Sequence, residues 1–191
     1  MKTIEQVLNK IKELGWSVDE YDDCYEFGKY SPAGQDFSII IYSKENSEDF
    51  IDQIYDKYNE FDVSEATYFW LDENGHGKNG APYDMKDVYE DMKWCEKAIL
   101  ELYEDLKYWF DNFDKPLKLF CIEVFDEDED MNQYVQYIAS RTEERAEKIL
   151  LKEANEHYYR YEYDFHEVDK EDYEELYEDY DFKEDVIYDK K

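Results

Sequence analysis

The densest run of potential ligands in this chain is Asp126-Glu127-Asp128-Glu129-Asp130, five consecutive carboxylates. Carboxylate oxygens suit calcium, but an EF-hand loop starting at Asp126 needs glycine at its sixth place and glutamate at its twelfth. Met131 and Tyr137 stand there, so no calcium loop is expected. His76, His157 and His166 show neither HxxxH nor HxH spacing, which argues against zinc. Gly75, Gly77 and Gly80 lie in Asn74–Pro82, the one glycine-rich stretch. It lacks the strand-to-helix context and GK[ST] ending of a phosphate cradle and reads as a flexible connection. GxSxG, P-loop and dinucleotide fingerprints are absent from the sequence. With 53 Asp and Glu, some carboxylate pair is inevitable, so pairing alone assigns no acid–base role. The expectation is a non-enzyme without cofactor or metal.

Charge is the dominant property. The 53 acids face 22 Lys and Arg, a formal net charge of −31. Direct nucleic-acid binding is disfavoured, because phosphate neutralisation requires basic residues. The aromatic content, 19% with 21 Tyr, separates the chain from a disordered acidic tail. It should fold despite self-repulsion. Halophilic adaptation fits poorly, since Arg141, Arg145 and Arg160 are the only arginines among the 22 bases and bulky Tyr and Ile abound. Solubility needs a smaller charge. Cys24, Cys95 and Cys121 form no CxxC pair and are expected to be reduced thiols. The amphipathic, charged opening MKTIEQVLNKIKELG is unlike a signal peptide, and no apolar run approaches a membrane span. A protein of the bacterial host cytosol is expected.

These charges must be positioned by regular elements. The longest pattern is Met85, Val88, Met92, Cys95, Ile99, Leu102, Leu106, Trp109 and Phe113, spaced alternately three and four. It predicts one long helix with a single apolar seam, begun at Asp84 and stopped by Pro116. The seam suits burial within the chain or, as a second option, a helical dimer. Upstream, Thr3 and Gln6 form a capping box for a first helix closed by Gly15. Strands are expected at Trp16–Tyr21, Cys24–Tyr30 and Asp36–Ser43. The third, apolar on both faces, should be central in its sheet. Ser47 should cap a second helix, and Phe61–Leu71 reads as a short third. Downstream, Leu117–Phe125 reads as a central strand, with Asp126–Asp130 as a hairpin loop and Tyr134–Ala139 as its partner. Ser140 and Glu143 suggest a capping box for the next helix. In His157–Val168, Tyr159, Tyr161, Tyr163 and Phe165 alternate with Arg160, Glu162, Asp164 and His166, a strand pattern. Asp169 should cap a last acidic helix, Lys170–Tyr180, and the final ten residues should fray. The class is α+β, with two small antiparallel-sheet lobes (1–82 and 115–191) bridged by one long central helix (83–114).

Carboxylates on alternate strand residues repeat about every 6.6–6.8 Å, and on neighbouring helix turns lie about 5–6 Å apart. Both spacings approach that of successive nucleic-acid phosphates. The residues expected to form such a surface are Asp126, Glu127, Asp128, Glu129, Asp130, Glu162, Asp164, Glu171, Asp172, Glu174, Glu175, Glu178 and Asp179. The stretch Glu156–Lys191 holds 15 acids and 5 bases. Tyr173, Tyr177 and Tyr180 interleave with them and suit an interface.

Two resemblances add to this. Lys29-Tyr30-Ser31-Pro32-Ala33-Gly34-Gln35-Asp36-Phe37, and Phe61–Pro82 followed by the long helix, resemble small proteins of Firmicute phages and mobile elements. The likeness covers roughly residues 1–113, and those proteins are mostly of unassigned function. In character rather than motif, the chain is similar to acidic DNA-mimic anti-defence proteins, of the anti-CRISPR and ArdA-like antirestriction kinds. That likeness implies an inhibitor that occupies the DNA- or RNA-binding channel of a basic partner such as a CRISPR effector nuclease. The alternative is an acidic adaptor that binds a basic protein without competing with nucleic acid. A monomer, or a dimer through the long helix, fits either.

Overall fold

The computed structural model describes residues 2–42, 46–126, 133–157, 161–168 and 182–189, with backbone alone for Asp126 and Gln133. The fold is α+β, with two antiparallel sheets of three and four strands and one long central helix. The chain divides into two compact units, Met1–Asp111 and Asn112–Lys191. No described helix is long and apolar enough to cross a membrane.

The first unit begins with α1 (Ile4–Glu13), whose start carries the expected capping box. The Gln6 N–H donates to Thr3 Oγ1 at 3.3 Å, and the Thr3 N–H donates to Gln6 Oε1 at 2.9 Å. Strands β1 (Ser17–Glu20), β2 (Cys24–Tyr30) and β3 (Asp36–Tyr42) form an antiparallel sheet in that order. Helices α2 (Ser47–Glu60), α3 (Val63–Phe69) and α4 (Met85–Asn112) follow. Phe27, Ile39 and Ile41 of the sheet pack with Val7 and Ile11 of α1, Phe50, Ile51 and Ile54 of α2, and Ile99, Leu102 and Leu106 of α4. Helix α4 has 28 residues, which makes it about 42 Å long. Its seam is buried from Val88 through Leu106, whereas Met85 and Phe113 at its two ends are 53% and 45% exposed. The Lys2 ammonium reaches the terminal carbonyls of Trp109 and Phe110. A cation there satisfies helix-end acceptors and complements the negative end of the dipole.

Two expectations fail in this unit. β3 is an edge strand, and β2 is the central one. Its second apolar face is not covered: Ile40 and Tyr42 are 45% and 56% exposed. The N-cap of α2 is Asn46, whose Oδ1 accepts from the Glu48 N–H at 2.8 Å, while Ser47 lies inside the helix. Ser47 instead donates to the Lys2 carbonyl at 2.9 Å.

The second unit contains β4 (Lys118–Asp126), β5 (Gln133–Ser140), α5 (Glu143–His157), β6 (Tyr161–Glu167) and β7 (Ile187–Asp189), with sheet order β6-β4-β5-β7. Both faces of β4 are buried from Leu119 to Ile122, which explains a nearly continuous apolar run interrupted only by Lys118 and Glu123. Phe120, Ile122 and Val124 pack with Ile138 and with Ala146, Leu150 and Ala154 of α5. Leu119 and Cys121 pack with Tyr137, Ala139 and Phe182 on the other side.

Here the boundaries differ from expectation. Thr142, not Ser140, caps α5, accepting from the Arg145 N–H at 3.3 Å. Ser140 ends β5 and donates to Asp185 Oδ1 at 2.8 Å. His157 closes α5 and does not open a strand; its ring lies 2.9 Å from the Glu153 carbonyl. The final residues do not all fray: Ile187, Tyr188 and Asp189 pair with Ile138, Tyr137 and Gln136. The Arg141 guanidinium meets both Glu184 oxygens, at 2.6 and 3.1 Å, and Arg145 meets Asp185 at 3.1 Å. Lys170–Tyr180, expected as the last helix, lies outside the described residues.

Candidate acidic interaction surface

The β2–β3 connection shows how a carboxylate organises the first unit. Asp91 on α4 is 6% exposed and accepts from Ser31 Oγ at 2.6 Å and from the Ala33 N–H at 3.2 Å. The Gln35 N–H donates to Ser31 Oγ at 3.0 Å. A buried carboxylate is tolerable where polar hydrogens meet it, and here all are neutral. Thus α4 holds the Ser31–Gln35 turn and with it the hairpin.

That hairpin presents a polar sheet face. The register sets Asp19 opposite Glu26, Gly28 opposite Ser38, and Tyr30 opposite Asp36. Gly28 keeps the middle open: a Cβ there would lie 2.7 Å from Ser17 Oγ. The result is a shallow cavity of about 540 Å³ whose lining includes Ser17, Asp19, Glu26, Asp36 and Ser38. Lys29 lines it too, and its ammonium lies 5.2 Å from the Trp16 ring.

Hydroxyl groups hold several of the carboxylates. Tyr21 and Ser38 both donate to Glu26, at 3.1 and 2.5 Å, and Tyr25 donates to Glu20 at 3.4 Å. In the second unit Tyr163 donates to Glu147 at 3.3 Å and Tyr134 to Asp189 at 3.1 Å. A phenol orients a carboxylate without cancelling its charge, which an ammonium would do. The Glu26 hydrogen bond and charge raise the Tyr21 pKa, and burial followed by the Glu147 charge raises that of Tyr163. Both hydroxyls therefore remain donors at neutral pH.

A second acidic area joins α2 and α4. Tyr55 and Tyr103 meet with ring centroids 4.8 Å apart. Lys107 sits 3.4 Å from Glu48 and 3.7 Å from Asp111. Burial opposes its charge, but Asp111, Glu48 and Asp52 outweigh burial and raise the lysine pKa.

Of the residues expected to form the acidic surface, Glu162 and Asp164 are exposed on one face of β6. Their strand partners are Phe125 and Glu123. Asp164 therefore stands opposite another carboxylate, an arrangement that lowers sheet stability. Asp126 ends β4 with Tyr161 as its partner. Glu127, Asp128, Glu129, Asp130, Glu171, Asp172, Glu174, Glu175, Glu178 and Asp179 lie outside the described residues. Sequence reasoning missed Asp19, Glu26 and Asp36 as one face. The alternation of Cys24, Glu26, Gly28 and Tyr30 was the available signal.

The glycine-rich connection contains a chain of polar groups. Tyr83 Oη lies 3.0 Å from His76 Nε2 with the rings stacked, and His76 Nδ1 lies 4.0 Å from Asp72 Oδ2. Asp72 Oδ1 accepts from the backbone N–H groups of Asn74 and His76, and the His76 bond leads in lowering its pKa. That is turn chemistry, in which the aspartate organises its own loop. Among the described residues no group of three or more His, Cys, Asp or Glu is placed to hold a metal ion. No protein-family model, curated protein or solved structure matches the chain.

Proposed function

We propose that this protein is a non-enzymatic inhibitor that presents a folded, pre-ordered acidic surface to the nucleic-acid channel of a basic partner. The observation that supports this most directly is the pairing of carboxylates with tyrosine and serine hydroxyls, as at Tyr21–Glu26–Ser38 and Tyr163–Glu147. Those donors restrict the carboxylates while leaving their charge intact. A surface that substitutes for phosphates needs both properties, since disorder weakens binding and neutralisation removes the attraction. The partner class is a nucleic-acid-binding nuclease, and the likeness in character to anti-defence proteins points to a CRISPR effector.

The test is capture of partners from a bacterial lysate at low salt, followed by challenge with DNA or RNA. A nuclease that nucleic acid releases, with affinity falling steeply as salt rises, supports the proposal. A partner that stays bound at saturating nucleic acid overturns mimicry in favour of an acidic adaptor.

A further inference from the structure

The edge of β3 offers unpaired backbone beside an apolar cavity. The Ser31 N–H donates to the Gln35 carbonyl at 2.8 Å, which fixes the phase of the β2–β3 ladder. Phe37, Ile39 and Ile41 then bond to β2, while Asp36, Ser38, Ile40 and Tyr42 turn their N–H and C=O groups outward. At Tyr42 both outward groups are taken: its N–H donates to Gln53 Oε1 at 3.2 Å, and Gln53 Nε2 donates to its carbonyl at 3.1 Å. The side-chain amide thus imitates the peptide group of one more strand. Among the described residues nothing engages the outward backbone groups of Asp36, Ser38 and Ile40.

Beside this edge lies a cavity of about 360 Å³, lined among others by Phe37, Ser38, Phe61, Phe69, Trp70 and Met92. Its charged lining is Glu60, Asp62 and Glu65, and no basic residue among the described residues lines it. Side chains of an added strand would alternate between this cavity and the outer sheet face, where Asp36 and Glu26 stand. Apolar residues fit the first direction and cations the second. A second copy is disfavoured, because it would bring another net charge of −31 against the same carboxylates.

We propose that the free edge of β3 is a strand-addition site for an extended partner segment in which Lys or Arg alternates with apolar residues. The added strand bonds to Asp36, Ser38 and Ile40, its apolar side chains enter the cavity, and its cations face the sheet carboxylates. This is independent of nucleic-acid mimicry.

The probe is an end-blocked peptide of alternating valine and lysine, measured by calorimetry and by amide exchange at Ser38 and Ile40. Two N-methylated versions, each methylated at one alternate set of residues, separate backbone pairing from charge. Pairing requires one set to weaken binding about tenfold or more, through loss of several hydrogen bonds, and the other to change it little. The unmodified peptide should also slow exchange at both amides. Ile40→Pro should weaken binding similarly, because the ladder does not use that N–H; the peptide series keeps the test valid if this variant misfolds. Equal binding by both methylated peptides, no binding at all, or peptide-free dimers paired through β3 would overturn the proposal.

Discussion

The two units secure their outer segments with different chemistry. In the first, the β2–β3 turn hangs on Asp91, a buried carboxylate met by the neutral hydrogens of Ser31 and Ala33. In the second, the segment leading to β7 is tied by ion pairs, Arg141 to Glu184 and Arg145 to Asp185. Two of the chain's three arginines serve that purpose. The planar guanidinium suits it, since the fork reaches both oxygens of Glu184. The lysines pair elsewhere, as Lys107 does with Glu48 and Asp111 and Lys118 with Glu167, whereas Asp91 and Glu26 are held by hydroxyls and amides.

The largest expected effects separate these two devices. Asp91→Ala leaves Ser31 Oγ and the Ala33 N–H without their acceptor and should destabilise the first unit by about 3 kcal/mol. Because the contact is buried, that loss should change little between low salt and about 0.5 M salt. Arg141→Met keeps an apolar stem but loses the fork and the donors to the Phe113 and Lys115 carbonyls. Its cost should be about 1–2 kcal/mol at low salt, shrinking as salt screens the pair. The units can be read separately in denaturant, since all four tryptophans (Trp16, Trp70, Trp94 and Trp109) lie in the first. Asp91→Ala should shift the fluorescence transition, whereas Arg141→Met should shift far-UV circular dichroism and leave fluorescence in place. Equal shifts in both signals for Arg141→Met would refute separate stabilisation.

This contrast also explains what the sequence made legible. The seam of α4 was readable from Val88 to Leu106 because a helical period reports burial on one face. It overran at Met85 and Phe113, where the same spacing continues beyond the covering elements. β4 was readable because both its faces are buried. β3 misled for the complementary reason: Ile40 and Tyr42 are apolar, but exposed. β7 was not legible at all, since Arg141–Glu184 and Arg145–Asp185 join residues some forty positions apart, and local pattern carries no such information. Of the acidic surface, the alternation that put Glu162 and Asp164 on one face was readable. The grouping of Asp19, Glu26 and Asp36 depends on register across three strands.

A smaller effect is expected at alkaline pH, and it belongs to the first unit. Cys95 lies on the buried seam of α4, where burial first and the Asp91 charge second raise its pKa from 9.0 to about 12. The protonated thiol is therefore the form favoured in the native state. Above pH 9 the unfolded chain loses this proton before the folded one does, so it binds fewer protons and stability falls as pH rises toward 12. The raised pKa values of Tyr21 and Tyr103 act in the same direction. Cys95→Ala should flatten the fall in denaturant midpoint between pH 9 and 11 as read by tryptophan fluorescence. An unchanged slope would show that Cys95 does not govern it.

The smallest change in stability is expected from Tyr21→Phe, the sharpest test of what the hydroxyls do. Tyr21 is 54% exposed, so its ring contributes little packing and removal of one oxygen should leave the unfolding midpoint nearly unchanged. Glu26 then keeps Ser38 as a donor but loses its second. If hydroxyls pre-order the carboxylates, Tyr21→Phe should weaken capture of the proposed basic partner while leaving net charge, and hence the salt dependence of binding, as it was. Glu26→Gln should weaken capture and also reduce that salt dependence, because it removes a charge. Pre-ordering would be refuted if Tyr21→Phe bound as tightly as the parent while Glu26→Gln did not; charge alone would then explain the attraction.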